Sequence, residues 1–232
     1  MKLILFDIDG TLLWTDGAGR RAVGAALRDE IGSTGPIDTY RLDGKTDPLI
    51  VRELLELAGH PDPADPDRIA AICDRYVQRL EEELRQNNQA RLLTGVRELL
   101  AALEPHERAG SAMVGLLTGN IERGAVLKLR AAGLDPERFR VGAYGSDSGV
   151  RSDLPAIAAA RARTLATREF SGSSVVILGD TPADVECGRP IGARTIGVAT
   201  GHYDVSALHS AGAAAVLADL ADTSAALAAI FA

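Results

Sequence analysis

The sequence predicts an α/β protein built on a doubly wound parallel sheet, with an all-helical segment inserted after the first strand. Three observations predict it. The apolar run Leu3–Phe6 leads straight into the carboxylates of Asp7 and Asp9, and Gly10 turns the chain immediately afterwards. Between residues 14 and 90, three helical patterns follow one another with no strand pattern between them. From residue 91 onward, short apolar runs alternate with helical ones. An apolar run bounded by a turn signal reads as a strand buried on both faces of a parallel sheet. Strands alternating with helices imply right-handed crossovers and helices on both faces. The expected domains are residues 1–13 with 91–232 as the sheet core, and residues 14–90 as the insert.

Each element follows from its pattern. After the first strand, the polar, Gly-rich stretch from Trp14 to Gly19 is an exit loop. Arg20 to Ile31 places Val23, Ala26, Leu27 and Ile31 at helical spacing and stops at Gly32. Residues 33–46 are turn-rich, with Gly35-Pro36 and Asp43-Gly44. A second helix opens with Asp47 as the expected N-cap and Pro48 at the first helical position, and it runs to Gly59. A third runs from Asp67 to about Asn87, with Ile69, Ile72, Cys73, Tyr76, Val77, Leu80 and Leu84 as its inward stripe.

In the second half, helices are expected over Gly95–Leu103, Ile121–Ala132, Leu154–Arg168, Asp184–Gly188, Val205–Ala211 and Asp219–Phe231. Strands are expected over Ala112–Leu117, Arg140–Tyr144, Val175–Leu178, Ala193–Val198 and Ala214–Leu217.

Composition narrows the function classes. The chain has 232 residues, enough for a large packed core. A formal net charge of −7 and the lack of a basic run speak against nucleic-acid binding. Two cysteines far apart, Cys73 and Cys187, suggest no disulfide framework and fit a reducing cytoplasm. No apolar stretch reaches membrane-spanning length, so no membrane partner is expected. No pattern fixes the number of subunits.

The chemistry-bearing residues stand at strand exits, where open α/β sheets bind ligands. Asp7 and Asp9 lie two apart, on one face of the strand end. Leu117-Thr118-Gly119-Asn120 presents a hydroxyl and a glycine at a helix start, a candidate anion cradle. Gly179-Asp180-Thr181-Pro182-Ala183-Asp184 offers two carboxylates four apart. Oxygen-only ligands of this kind favour a hard cation such as Mg²⁺.

Taken in order, these three exits make the chain resemble the haloacid dehalogenase-like hydrolase superfamily over essentially its full length. Asp7-Ile8-Asp9-Gly10-Thr11-Leu12 is similar to its first motif, Thr118-Gly119-Asn120 to its second, and Gly179 to Asp184 to its fourth. The helical segment resembles the cap domain of the branch containing phosphoglycolate phosphatases and β-phosphoglucomutases, on a Rossmann-like core.

The resemblance implies a Mg²⁺-dependent phosphatase acting on a small phosphorylated metabolite through an aspartyl-phosphate on Asp7. In that scheme Asp9 is the general acid and base, and family members with other chemistry carry another residue there. Mg²⁺ would sit among the Asp7 side chain, the Asp9 carbonyl and Asp180, with Asp184 nearby. Thr118, Gly119 and Asn120 would hold the phosphoryl oxygens.

The third motif departs from the pattern, because its usual lysine is replaced by Arg151. The chain has 22 arginines and three lysines, Lys2, Lys45 and Lys128. An arginine keeps the charge and binds phosphate through two donors at once, so Arg151 is the expected phosphate partner. On the cap loop, Lys45 is a candidate for a second anionic group of the substrate. A phosphomutase shares every core residue and is the rival enzyme. A phosphate-binding scaffold without turnover is the non-enzyme rival, and the full set of four aspartates argues against it.

Overall fold

The computed structural model describes residues 1–232. The chain opens with β1 (Lys2–Phe6) and the two-residue β2 (Leu13–Trp14). Three helices follow, α1 (Ala18–Ile31), α2 (Asp47–Leu57) and α3 (Pro66–Gln86), and then the equally short β3 (Arg91–Leu92). The remainder alternates: α4 (Val96–Arg108), β4 (Ala112–Thr118), α5 (Glu122–Ala131), β5 (Val141–Tyr144) and α6 (Leu154–Ala166). It continues with β6 (Val175–Gly179), α7 (Pro182–Cys187), β7 (Arg194–Val198), α8 (Val205–Ser210), β8 (Ala215–Leu217) and α9 (Thr223–Phe231).

The main sheet has six strands in the order β5-β4-β1-β6-β7-β8, every neighbouring pair parallel. Alternate residues of β1 face opposite ways and both faces are covered. Ile4 and Phe6 join the apolar cluster built with α4, α5 and α9, whereas Leu3 and Leu5 join the one under α6. This is why the run reads as continuously apolar rather than alternating. β1 is central, and the chain reverses its direction of travel across the sheet on either side of it. The crevice at its carboxyl end is therefore the place such sheets bind ligands.

The three helices of the insert have a core of their own. Val23, Leu27, Val51, Leu54, Ile72, Tyr76 and Leu80 bury against one another. A fully buried leucine such as Leu80 stabilises this packing by about 1.5–3 kcal/mol.

Two features depart from the sequence expectation. β2 and β3 pair antiparallel, Leu13 with Leu92 and Trp14 with Arg91, so a small ribbon brackets the three helices in sequence. Two-residue strands carry too little periodicity to be read in advance. The N-cap of α2 is Thr46, whose hydroxyl accepts from the Leu49 N–H, and not Asp47. Asp47 is instead turned outward to α5, as described below.

Most other helix and strand ends fall within two or three residues of expectation. The larger shifts are α4, which runs on to Arg108 through Pro105, and α9, which starts at Thr223 behind the N-cap Asp222. No helix is long and apolar enough to cross a membrane.

Candidate active site

Five loops at the carboxyl edge of the sheet meet beneath the helical insert. Asp7 follows β1 directly, and its N–H still bonds the Leu178 carbonyl of β6 at 2.9 Å, so the sheet ladder itself fixes its position. Gly10 then takes φ 82°, a left-handed turn that glycine adopts without strain. A side chain there would also collide with Asp180, since its Cβ would fall 2.4 Å from Oδ2. Thr11 donates to Asp180 Oδ1 at 3.3 Å.

Asp184 belongs to a capping box at the start of α7. Its Oδ2 accepts from the Thr181 N–H at 3.0 Å and the Thr181 hydroxyl at 2.6 Å. That arrangement leaves Oδ1 facing Asp7 and Asp180. The ligand oxygens of Asp7, Asp180 and Asp184 lie within 4.8 Å of one another, and all three residues are buried. Burial and the Asp184 charge push the Asp7 carboxyl up to about 7, with Arg151 opposing them. Burial, together with the charges of Asp184 and Asp7, raises Asp180 well above the usual range. Three carboxylates so placed repel one another, and a hard divalent cation with oxygen ligands relieves that repulsion. The donor set fits such an ion.

Arg151 supplies the protein's own counter-charge. It sits at the turn leading into α6, and Nη2 donates to Asp7 Oδ1 at 3.1 Å and also to Asp184 Oδ1. Its side chain is only 10% exposed, and Nε has no partner in the protein. Against the cost of burial, Asp184 and Asp7 raise its pKa further, so the guanidinium stays charged.

Asp9 has different surroundings. Its Oδ2 accepts from Asn120 Nδ2 at 2.8 Å and from Lys128 Nζ at 2.6 Å. Asn120 also donates to Thr118 Oγ1 at 2.8 Å and accepts from Lys128 at 2.6 Å. The Asn120 side chain is therefore committed to orienting Asp9 and Thr118. Thr118 accepts from Asn120 at both its main-chain and side-chain nitrogens, which leaves the hydroxyl proton free to donate.

The insert closes over this edge through one loop. A Cβ on Gly119 would lie 2.0 Å from the Lys45 carbonyl, so only glycine permits that approach. The Asp47 N–H donates to the Gly119 carbonyl at 2.8 Å, and Thr46 Oγ1 to the Gly149 carbonyl at 2.8 Å. The buried Asp47 carboxylate accepts from the Ile121 N–H at 2.8 Å, acting across the interface at the start of α5. Burial pushes its pKa up to about 6.

The cavity measures about 290 Å³, and its lining includes Asp7, Asp9, Thr118, Lys128, Arg151 and Asp180 as well as Trp14, Lys45 and His202. A roomier groove of about 850 Å³ between α2, α3 and the 146–151 loop touches Arg151 but none of these aspartates.

Lys45 is less available than expected, because its amine bonds Glu53 at 2.6 Å and the Tyr40 hydroxyl at 2.7 Å. His202 Nδ1 lies 3.3 Å from Asp43 across the same boundary. Both cysteines are buried, and burial pushes each thiol up to about 12, far from a nucleophile's range.

Sequence reasoning brought Asp7, Asp9, Thr118, Gly119, Asn120, Arg151, Asp180 and Asp184 to one place, and the structure brings them together. It did not single out Lys128, which bonds Asp9, or Asp47 and Tyr76, which line the cavity. The one available signal was the scarcity of lysine in an arginine-rich chain.

A model of the haloacid dehalogenase-like hydrolase family matches residues 4–189. The chain belongs to the haloacid dehalogenase-like hydrolases. Solved structures of the same fold include a hydrolase from Pseudomonas syringae, 23% identical, covering 98% of each chain at a TM-score of 0.74. CbbY from Rhodobacter sphaeroides, in complex with phosphate, is 21% identical over 96% of each chain at 0.68. A predicted phosphoglycolate phosphatase from Haemophilus somnus 129pt is 20% identical over 98% of each chain at 0.69. The comparison with curated proteins gives no match.

Proposed function

We propose that this haloacid dehalogenase-like hydrolase is a Mg²⁺-dependent phosphatase of small phosphate monoesters, with Asp7 as nucleophile. One observation carries the reading. Two carboxylates two residues apart are given opposite surroundings, Asp7 among Arg151, Asp180 and Asp184, and Asp9 between Asn120 and Lys128. Different surroundings assign different roles to like groups.

Asp7, the main-chain carbonyl of Asp9 and Asp180 would hold Mg²⁺, with Asp184 beside them. When bound, the ion offsets the repulsion between an anionic nucleophile and an anionic phosphate. Asp7 attacks phosphorus while Asp9 gives its proton to the departing ester oxygen, leaving an aspartyl-phosphate on Asp7. Water then attacks phosphorus, Asp9 takes its proton, and the bond from phosphorus to Asp7 breaks to release phosphate. Thr118 and Arg151 hold the phosphoryl oxygens throughout. The helical insert acts as a cap that excludes bulk water. A cavity of about 290 Å³ admits a small ester and not a polymer.

An assay with p-nitrophenyl phosphate tests this directly. Mg²⁺-dependent phosphate release that disappears in Asp7→Asn supports the reading, and release that persists in that variant contradicts it. A hexose 1-phosphate with a bisphosphate primer separates the mutase alternative, which yields the isomer without free phosphate.

A further inference from the structure

The end of the cavity beyond Asp9 is walled by groups that the phosphoryl chemistry leaves unused. Tyr76, on the inward stripe of α3, is 1% exposed, and it lines the cavity. Its hydroxyl has no hydrogen-bond partner in the protein, and burial, with Asp47 and Asp9 nearby, holds the phenol well above its usual range. A buried phenol ordinarily finds a partner. Lys128 directs two of its three N–H donors to Asp9 and Asn120, each at 2.6 Å, which leaves the third. The two groups meet at Gly19, where a methyl would lie 3.5 Å from Lys128 Nζ and 3.8 Å from Tyr76 Oη. With no side chain at Gly19, the space in front of both donors is open.

Charge decides what that space accepts. The Lys128 ammonium is already met by Asp9, and Asp47 adds a second negative group to the same lining. Lys45 is paired with Glu53, and Arg151 with Asp7 and Asp184. Arg20 is held by the main-chain carbonyls of Ile37 and Tyr40. Arg20 has no carboxylate partner, but beside Tyr76 and Lys128 an anionic group would meet an ammonium already paired and the carboxylates of Asp9 and Asp47. A neutral hydroxyl suits the lining in both directions. It accepts from the phenol or the ammonium and donates to a carboxylate.

We propose that Tyr76 and Lys128, facing Gly19, form a subsite for a hydroxyl on the leaving group, so that phosphate monoesters of polyols are favoured over those of hydroxy acids or plain alcohols. This rests on the phosphatase reading of the same site.

The test compares glycerol 1-phosphate, propyl phosphate and 2-carboxyethyl phosphate in the wild type and in Tyr76→Phe, with p-nitrophenyl phosphate as the reference. Wild type should favour glycerol 1-phosphate over propyl phosphate by about tenfold or more in kcat/KM, a floor under the roughly 10⁴–10⁵ by which a site built around a hydroxyl rejects the analogue lacking it. Tyr76→Phe should erase most of that preference while propyl and p-nitrophenyl phosphate change by less than about threefold. Equal loss on all four esters would assign Tyr76 to packing and overturn the subsite, as would no preference or a preference for the carboxylated ester. Absence of phosphate release from every ester would instead sink the phosphatase reading. The subsite is then read by calorimetric binding of glycerol 1-phosphate and propyl phosphate. Tighter binding of the triol ester that is lost in Tyr76→Phe supports it, and equal binding contradicts it.

Discussion

Arg151 Nη2 lies 3.1 Å from Asp7 Oδ1 and also bonds Asp184, so one guanidinium ties the end of β1 to the helix start after β6. The residues come from loops 144 and 33 positions away in sequence. This geometry makes Arg151 the protein's internal counter-ion for an acidic cluster, and the proposed function adds phosphate as its partner.

Arg151→Met should lower kcat/KM by about 10²–10³, the loss seen when one donor to developing charge is removed. It should also destabilise the metal-free protein by about 3–5 kcal/mol, because buried carboxylates lose their partner. Arg151→Lys should recover part of both, since the charge returns without the two-pronged fork. Steady-state kinetics and denaturant melts of the two variants check this, and a Met variant with full activity would remove Arg151 from the site.

Asp9→Asn keeps the size of the side chain and removes its proton transfer. Loss should be about 10²–10⁴ on an alkyl phosphate, whose alkoxide leaves poorly without a proton. It should be much smaller on an aryl phosphate with a good leaving group. A uniform loss across leaving groups would show that Asp9 does not protonate the departing oxygen.

The proposed metal site predicts a thermal signature. Mg²⁺ that binds only the folded chain should stabilise it by about 2.7 kcal/mol at a hundredfold excess over Kd. Asp180→Asn should abolish most of that shift. A melting temperature that Mg²⁺ moves equally in wild type and variant would place the ion elsewhere.

Asp47 predicts a pH dependence of stability. Its folded pKa of about 6 lies above the ordinary aspartate value of 3.8, so the folded state holds the proton that the unfolded state has already released. Stability is fully present below about pH 4 and is lost as pH rises towards about 6. Asp47→Asn can still accept from the Ile121 N–H but carries no charge to bury. The variant and wild type should melt alike near pH 4, with the variant ahead by about 1–3 kcal/mol at pH 7. A gap that stays constant with pH would contradict the assignment.

The legibility of this molecule in its sequence follows its strand exits. Asp7, Thr118 and Asp180 each stand at the end of an apolar run within three residues of a glycine, so local pattern alone places them at one edge of a parallel sheet. Arg151 was legible as well, by its place before α6, although its pairing with Asp184 was not. The other contributions were hidden for a physical reason. Tyr76 sits on an apolar stripe whose period marks it as core, and Lys128 is an ordinary helix residue until the chain folds back to Asp9, 119 positions earlier. Asp47 looked like a cap because Asp before Pro is a good helix start. Thr46 does that work, which frees the Asp47 carboxylate to reach α5.

The central claim is that phosphate passes through Asp7. Rapid acid quenching of the Mg²⁺-loaded enzyme during turnover of a phosphate monoester, followed by peptide mass spectrometry, tests it most directly. The account predicts one phosphoryl group on the peptide carrying Asp7, absent in Asp7→Asn and longer-lived in Asp9→Asn. Phosphate release at full rate with no phosphoryl group on Asp7 in either the wild type or Asp9→Asn would contradict it.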